Sequence, residues 1–451
     1  KNSRYNKLMT IYALSSGSGV SGIAVIRISG KNTSNLLKLL TKDSIPKPRV
    51  ATLKKINNIK TSELIDQGIV LWFPGPESYT GEDMAEIHVH GGKAVVQSML
   101  DNLSTLKDCR LAEPGEFTKL AFQNGKIDLL KAESISDLIS AETEIQRLQA
   151  LKVMQGSFSK TFNVLREKLL KILSFVEAKI DFPDEDLPDR ELNEIKKVSG
   201  SVLLKIEKIL NDQKVGEIIR EGFKIAIVGP TNAGKSSLLN YLSKREAAIV
   251  SETAGTTRDV IEVHLNLDGY PVIISDTAGI RDSKDDIEKK GIKLALKKVE
   301  NADLKLVVLD AKKPNLSDFF KDLLKKDGIL VINKSDLIDN NLDTSFKNIS
   351  HVLISLKENR NLDVLISNIK KHLKNKFTDQ DDVLITRERH RQHLIQCAKH
   401  LRDFEKKNEE QDFDKAAEDL RLATKHLGMI VGKVDVEEIL GSIFNDFCIG
   451  K

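Results

Sequence analysis

Cysteine is scarce: Cys109, Cys397 and Cys448 are the only three in 451 residues. Three thiols make no disulfide framework and show no metal-ligand spacing among themselves, which points to a reducing compartment. Long apolar runs are missing too, since none approaches the roughly 20 residues that span a bilayer, so no membrane role is expected. Net charge is small, with 70 Lys and Arg against 66 Asp and Glu. That is far from a polybasic nucleic-acid binder, and any such contact has to come from a local patch. No dinucleotide fingerprint stands beside a strand, and no appended RNA module is evident. The chain begins at Lys1 without an apolar signal core, and a cytoplasmic location is expected.

What is present is ample for burial. Forty per cent hydrophobic and 30% charged residues fit a globular protein, and the length exceeds one hydrophobic core, implying two or three domains. Residues 1–121 mix β-branched runs such as Gly22-Ile-Ala-Val-Ile-Arg-Ile28 with glycine punctuation at Gly81, Gly91 and Gly92. That texture predicts an α+β domain. From 122 to 218 apolar residues fall at helical spacing, with Leu165, Leu169, Ile172 and Val176 on one face. Asp181-Phe-Pro-Asp-Glu185 breaks the pattern, because proline lacks an amide proton and disfavours helix before it. Between 219 and 378 strands alternate with helices, at Phe223–Val228, Val272–Ser275, Lys305–Leu309, Ile329–Ile332 and Val352–Ile354, which predicts a parallel sheet. Asp268-Gly269 predicts a hairpin that adds one antiparallel strand. Helical patterning returns over 379–451, through His390, Leu394, Leu401 and Leu440. The α/β unit therefore reads as an insert between two helical halves.

Gly229-Pro-Thr-Asn-Ala-Gly-Lys-Ser236 follows an apolar strand and opens a helix, the context that makes this spacing a phosphate cradle. Backbone amides supply positive partial charge, Lys235 reaches the outer phosphates, and the Ser236 hydroxyl ligates magnesium. Asp276-Thr-Ala-Gly279 ends the next strand, placing an aspartate near the metal and a glycine amide near the γ-phosphate. Asn333-Lys-Ser-Asp336 ends another; its aspartate can accept the ring N–H and exocyclic amine that guanine offers and adenine does not. Ser355-Leu-Lys357 stands where many GTPases carry Ser-Ala-Lys behind the base, the leucine being a departure. Thr256 and Thr257 offer a switch hydroxyl for magnesium. The position of the water-orienting glutamine of Ras-like enzymes holds Ile280, which cannot hydrogen-bond, so catalytic help must come from elsewhere.

With these motifs the chain resembles the MnmE (TrmE) family of tRNA-modification GTPases over essentially its full length. The discriminating segments are Arg27-Ile-Ser-Gly30, Tyr79-Thr-Gly-Glu-Asp83, His90-Gly-Gly92, Pro114-Gly-Glu-Phe117, 180–185 and Phe447-Cys-Ile-Gly-Lys451. The resemblance implies a multidomain α+β and α/β protein. Its parts would be an N-terminal folate-binding and dimerisation domain (1–121), a helical domain in two halves (122–218 and 379–451), and an inserted Ras-like P-loop GTPase domain (219–378) with a mostly parallel sheet. It implies potassium-dependent GTP hydrolysis in a homodimer. With a flavin-dependent MnmG-type partner, in a heterotetramer or larger complex, the pair would add an aminomethyl-type group to C5 of the wobble uridine of certain tRNAs. The one-carbon donor would be 5-formyltetrahydrofolate or a relative.

Residue by residue, the resemblance makes Asn232 the side-chain ligand of potassium, with main-chain oxygens at Ser251, Thr253 and Thr256 completing the shell. Magnesium would take Ser236 and Thr257. The GTP set is Asn232, Ala233, Gly234, Lys235, Ser236 and Ser237; Ser251, Thr253, Thr256 and Thr257; Asp276, Thr277, Ala278 and Gly279; Asn333, Lys334 and Asp336; and Ser355, Leu356 and Lys357. Lys235, Glu288 and Cys448 are the catalytic candidates. From the residues alone Glu288 reads as a solvated helix charge beside Lys289; the resemblance makes it the glutamate that orients water. Folate would take Arg27, Glu86, Lys126 and Lys451, each an ordinary surface charge on residue type alone. Cys448 reads equally as a buried cysteine or a reactive thiol. His88 and His90 share a strand face, yet two ligands do not make a metal site. The rival expectation is an Era-like regulatory GTPase that binds RNA in ribosome assembly.

Overall fold

The structure is a computed structural model. It describes residues 9–17, 19–181, 189–245, 248–249, 262–276, 297–325, 327–338, 346, 349–377, 384–407, 413–434, 440–441, 443–444 and 447–451. Its contacts divide the chain into two units. One holds Lys1–Ser136, Val153–Glu167 and Thr424–Lys451; the other holds Asp137–Lys152 and Lys168–Ala423.

The first unit is built on β1 (Thr10–Leu14), β2 (Ser21–Ser29), β3 (Thr52–Asn57), β4 (Leu64–Phe73), β5 (Met84–Gly91) and β6 (Cys109–Leu111), in the order β3-β4-β5-β2-β1-β6. All neighbours are antiparallel except β1 with β6. Helices α1 (Thr33–Thr41) and α2 (Lys93–Ser104) cover one face, where Leu36, Leu37, Leu40, Met99 and Leu103 join Ile26, Ile28, Ile56, Val70 and Ile87 in one core. The period of two along β2 buries Ala24, Ile26 and Ile28 and turns Val25 and Arg27 to the opposite face. Along β5 the same alternation buries Ile87 and Val89 and puts Glu86, His88 and His90 beside them. A further helix, α3 (Glu116–Gln123), starts after Gly115, which sits at φ +67 where a Cβ would lie 2.7 Å from the Phe444 carbonyl. The C-terminal residues Leu440, Phe444 and Phe447 pack on Leu129 and Ala132.

The helical segments are α4 (Leu129–Ile139), α5 (Glu144–Met154), α6 (Ser157–Asp181), α7 (Asp189–Leu210) and α8 (Val215–Glu221). Leu165, Leu169, Ile172 and Val176 of α6 are all buried, as the spacing predicts. The helix ends at Asp181, and the rest of the interruption lies outside the described residues.

The second sheet contains β7 (Phe223–Val228), β8 (Ala248–Ile249), β9 (Glu262–Leu267), β10 (Tyr270–Asp276), β11 (Leu304–Asp310), β12 (Gly328–Asn333) and β13 (His351–Leu353), in the order β13-β12-β11-β7-β10-β9-β8. The links β10·β7, β7·β11, β11·β12 and β12·β13 are parallel. Both faces are covered: Ile225 and Ile227 enter one core, Ala226 and Val228 the other. That is why Ile225–Val228 of β7 read as an unbroken apolar run. The expected hairpin forms between β9 and β10, with Asp268 at φ +53 and Gly269 at φ +91, the paired left-handed residues of a tight turn. The associated helices are α9 (Lys235–Arg245), α10 (Asp318–Lys325) and α11 (Leu362–Lys376).

Two helices follow, α12 (Glu388–Lys406) and α13 (Phe413–Val431). His390, Leu394 and Leu401 of α12 are buried, again as the pattern predicts. The buried Arg391 donates to both Glu217 oxygens at 3.2 and 2.9 Å and to Asp212 at 2.7 Å. The guanidinium stays out of water here because two carboxylates and the Leu210 carbonyl, at 3.2 Å from Nη1, take its place.

Candidate nucleotide-binding site

The loop between β7 and α9 is shaped by close backbone approach. Gly229 has φ +153, and a Cβ on it would lie 2.1 Å from the Val308 carbonyl. Gly234 has φ +99, and a Cβ there would meet Asn333 Nδ2 at 2.2 Å. Only glycine fits either position. Asn232 also adopts a left-handed conformation, φ +63, which asparagine tolerates better than most residues.

Lys235 is buried, and its ammonium donates to the Gly229 and Pro230 carbonyls at 3.0 and 2.9 Å. Burial holds its pKa below the ordinary lysine value, opposed by the Asp276 carboxylate. A cation so placed can exchange carbonyl partners for phosphate oxygens. Ser236 Oγ donates to Asp276 Oδ2 at 2.6 Å. Asp276 Oδ1 is buried and has no hydrogen-bond partner among the described residues. A hydroxyl and a half-satisfied carboxylate side by side are a donor set that suits a hard cation such as magnesium.

The base side is equally ordered. Buried Asn333 donates to the Ala233 carbonyl at 2.9 Å and accepts from the Leu356 amide at 3.3 Å. The leucine in place of the usual alanine is thus compatible, because the main chain makes the bond. Lys334 donates to the Asn232 carbonyl at 2.7 Å and to Asp310 Oδ2 at 2.6 Å. Ser355, fully buried, donates to Asp336 Oδ1 at 2.6 Å, and that bond holds the Asp336 carboxyl below the usual carboxylate range. Asp336 is thereby kept charged and aimed while its other oxygen remains for a ligand. Lys357 is exposed beside this group, and Ser237 is exposed on the first turn of α9.

The structure therefore brings together Asn232, Ala233, Gly234, Lys235, Ser236, Asp276, Asn333, Lys334, Asp336, Ser355 and Leu356. Ser251, Thr253, Thr256, Thr257, Thr277, Ala278, Gly279, Ile280 and Glu288 lie outside the described residues. Sequence reasoning missed Asp310. An aspartate at a strand end carries no signal by itself; the pairing of Asp310 with Asn333 across β11 and β12 is what reveals it.

In the first unit Arg27 donates to Glu86 Oε1 through Nε and Nη2, at 3.1 and 2.9 Å, and through Nη1 to the Gly450 carbonyl at 3.3 Å. Its guanidinium lies 5.6 Å from the ring centroids of both Tyr79 and Phe117. Ser15 also donates to the Gly450 carbonyl, and the Phe117 amide to the Lys451 carbonyl. The C-terminal residues are thus fixed beside the Arg27–Glu86 pair. Lys126 sits against the Tyr79–Asp83 loop, where Asn124 donates to the Thr80 carbonyl at 2.7 Å. Of the expected folate set, Arg27, Glu86 and the Lys451 backbone are gathered directly. The partners Tyr79, Phe117 and Gly450 came from the resemblance segments without assigned roles.

Cys448 is exposed, while Cys109 and Cys397 are buried. Burial pushes the Cys109 thiol up to about 11, and Cys397 higher still, so both are inert. His90 bonds Asp66 at 2.9 Å, and His88 Nε2 stands 3.7 Å from Glu86 Oε2.

A strand-loop-helix phosphate-loop motif, the Asn333-Lys-Ser-Asp336 motif at a strand end and a mostly parallel sheet define a P-loop GTPase, here inserted into a helical domain that follows an N-terminal α+β domain. The family model described as MnmE helical domain matches residues 129–448, and the one described as GTP-binding protein TrmE N-terminus matches residues 10–126. The tRNA modification GTPase MnmE of Pelagibacter ubique (strain HTCC1062) is 71% identical over 443 residues, covering 98% of this chain and 100% of that protein. That of Rickettsia akari (strain Hartford) is 46% identical over 446 residues, with coverage of 98% and 100%. The solved G domain of the T. maritima FeoB iron transporter is 24% identical over 33% of this chain and 98% of its own, with a TM-score of 0.27, too low to support any conclusion. The chain belongs to the MnmE family of tRNA modification GTPases.

Proposed function

We propose that the protein hydrolyses GTP in a potassium-dependent manner as a homodimer. With a flavin-dependent MnmG-type partner it adds an aminomethyl or carboxymethylaminomethyl group to C5 of the wobble uridine of certain tRNAs, taking one carbon from a formyl-tetrahydrofolate. The observation that carries this reading is the assembled phosphate loop, in which Lys235 is desolvated and Asp276 keeps an unused buried oxygen. Ser236 and Asp276 would hold magnesium, and Asn232, exposed with its own carbonyl fixed by Lys334, is free to offer its side-chain oxygen to potassium. When bound, the two cations supply positive charge where negative charge develops on the phosphates.

The chain's own residues do the rest. Lys235 exchanges carbonyl for phosphate oxygens, Asp336 selects guanine, and Asn333 keeps loop and base site in register. Arg27 and Glu86 offer a cation and a carboxylate on the open face of the first sheet, suited to a ligand with a glutamate tail and a pterin ring. Cys448 is exposed, three residues from the end that packs beside this cluster, and would serve there as a reactive thiol. Among the described residues no helix is long and apolar enough to cross a membrane, and we place the activity in the cytoplasm.

Reconstitution tests the reading. Purified protein, a flavoprotein of the MnmG type with NADH, unmodified tRNA, GTP with magnesium and potassium, a formyl-tetrahydrofolate and glycine or ammonium as amine donor should yield a C5-modified uridine in digested tRNA by mass spectrometry, with no product when GTP is omitted. Product formation independent of this chain would refute the assignment.

A further inference from the structure

Asp310 stands where the base side and the phosphate side of the nucleotide site meet. It closes β11 immediately before the turn, and its Oδ1 accepts the Lys312 amide at 2.9 Å. Its Oδ2 lies 2.6 Å from Lys334 Nζ, and the same ammonium reaches the Asn232 carbonyl at 2.7 Å. Burial pushes the Asp310 carboxyl up, but the bonds from Lys334 and the Lys312 amide outweigh it and keep it below the usual carboxylate range. The pair is partly exposed, 32% for the lysine and 26% for the aspartate. An ion pair of that exposure contributes little by itself.

What matters is the third member. Asn232 and Lys334 both occupy left-handed backbone, at φ +63 and +66. Non-glycine residues stay there only where their surroundings determine it. The ammonium bridges the two strained turns. Asp310 is the anion that keeps it on that line instead of in solvent. The neighbouring bond from Asn333 to the Ala233 carbonyl fixes the next loop residue in the same way.

We propose that Asp310 is a positioning residue: acting through Lys334, it fixes the Asn232 carbonyl and so joins the guanine-recognition turn and the phosphate loop into one body. The inference rests on the nucleotide-site part of the proposed function and needs neither potassium nor folate.

The test uses full-length Asp310→Asn, Lys334→Met and the double variant. Dissociation of mant-GDP is followed by stopped flow in sodium buffer with magnesium, and thermal unfolding is recorded alongside. Loss of a charge-assisted bond should speed dissociation about tenfold in Asp310→Asn. The double variant should release mant-GDP no faster than Lys334→Met, because both changes break one line of contact. The preference for GTP over ITP should not move in Asp310→Asn, since Asp336 is untouched. A penalty from Asp310→Asn that adds in full on top of Lys334→Met would overturn the proposal. So would release by Asp310→Asn within about twofold of wild type, well below one lost bond. If the aspartate variant melts early, the comparison of Lys334→Met with the double variant still decides. Because the probe is a diphosphate read in sodium, failure of the potassium reading leaves this result standing, and the reverse also holds.

Discussion

The two clusters of the molecule are assembled in opposite ways. The nucleotide site of the second unit is set by short stretches at strand ends, and the cation of its phosphate loop, Lys235, donates to the main-chain carbonyls of Gly229 and Pro230. The cluster of the first unit brings Arg27 and Glu86 together with Gly450, 423 positions from Arg27, and its cation is tied to a carboxylate. Carbonyls are neutral and easily exchanged for phosphate oxygens. A carboxylate partner is not, so Arg27 must share its charge between Glu86 and any ligand. The nucleotide site would thus suit a strongly charged ligand, and the Arg27–Glu86 cluster one that brings both polarities.

That contrast can be broken at its strongest point. Gly234→Ala puts a Cβ 2.2 Å from Asn333 Nδ2 at φ +99, so mant-GDP binding should be lost while melting of the first unit is kept. Normal nucleotide affinity in this variant would mean that the loop is not held as described. Lys235→Ala removes the buried cation, and turnover of GTP should fall at least about hundredfold, as when one preorganised donor is lost from a reaction site. Steady-state phosphate release measures it.

The first unit should respond more mildly. Arg27→Ala leaves Glu86 without its partner but also open to water, so folate affinity by calorimetry should drop about tenfold while GTP turnover stays within about twofold. A matching fall in turnover would blur the separation of the two clusters. The smallest effect is expected at Leu356. Its amide, not its side chain, meets Asn333, and Leu356→Ala should change GDP affinity by less than about twofold.

The same contrast explains what was legible in the sequence. Phe223–Val228 was readable because a strand covered on both faces is a mostly apolar run, here interrupted only by Lys224, that ends at a glycine. Asp268-Gly269 was readable because few residue pairs accept two positive φ angles. The phosphate loop and Asn333-Lys-Ser-Asp336 were readable because their chemistry is local. Asp310 was not, since one aspartate at a strand end carries no pattern until β11 and β12 are seen side by side. Arg27 and Glu86 were nameable only by resemblance: adjacent strands pair them in register, and no spacing along the chain reports that. The role of Gly450 was hidden for a related reason. Its φ of +94 and the 2.2 Å approach of a Cβ to the Leu14 carbonyl belong to docking of the C-terminal residues on β1.

The central claim is a GTPase whose catalysis depends on a monovalent cation held by Asn232 in place of a glutamine or an arginine. The most direct measurement is steady-state GTP hydrolysis in potassium against sodium at matched ionic strength, for the wild type and for Asn232→Ala. The account predicts strong acceleration by potassium in the wild type, and its loss in Asn232→Ala with GDP affinity little changed. Equal rates in the two salts, or an equal potassium response in both proteins, would contradict it.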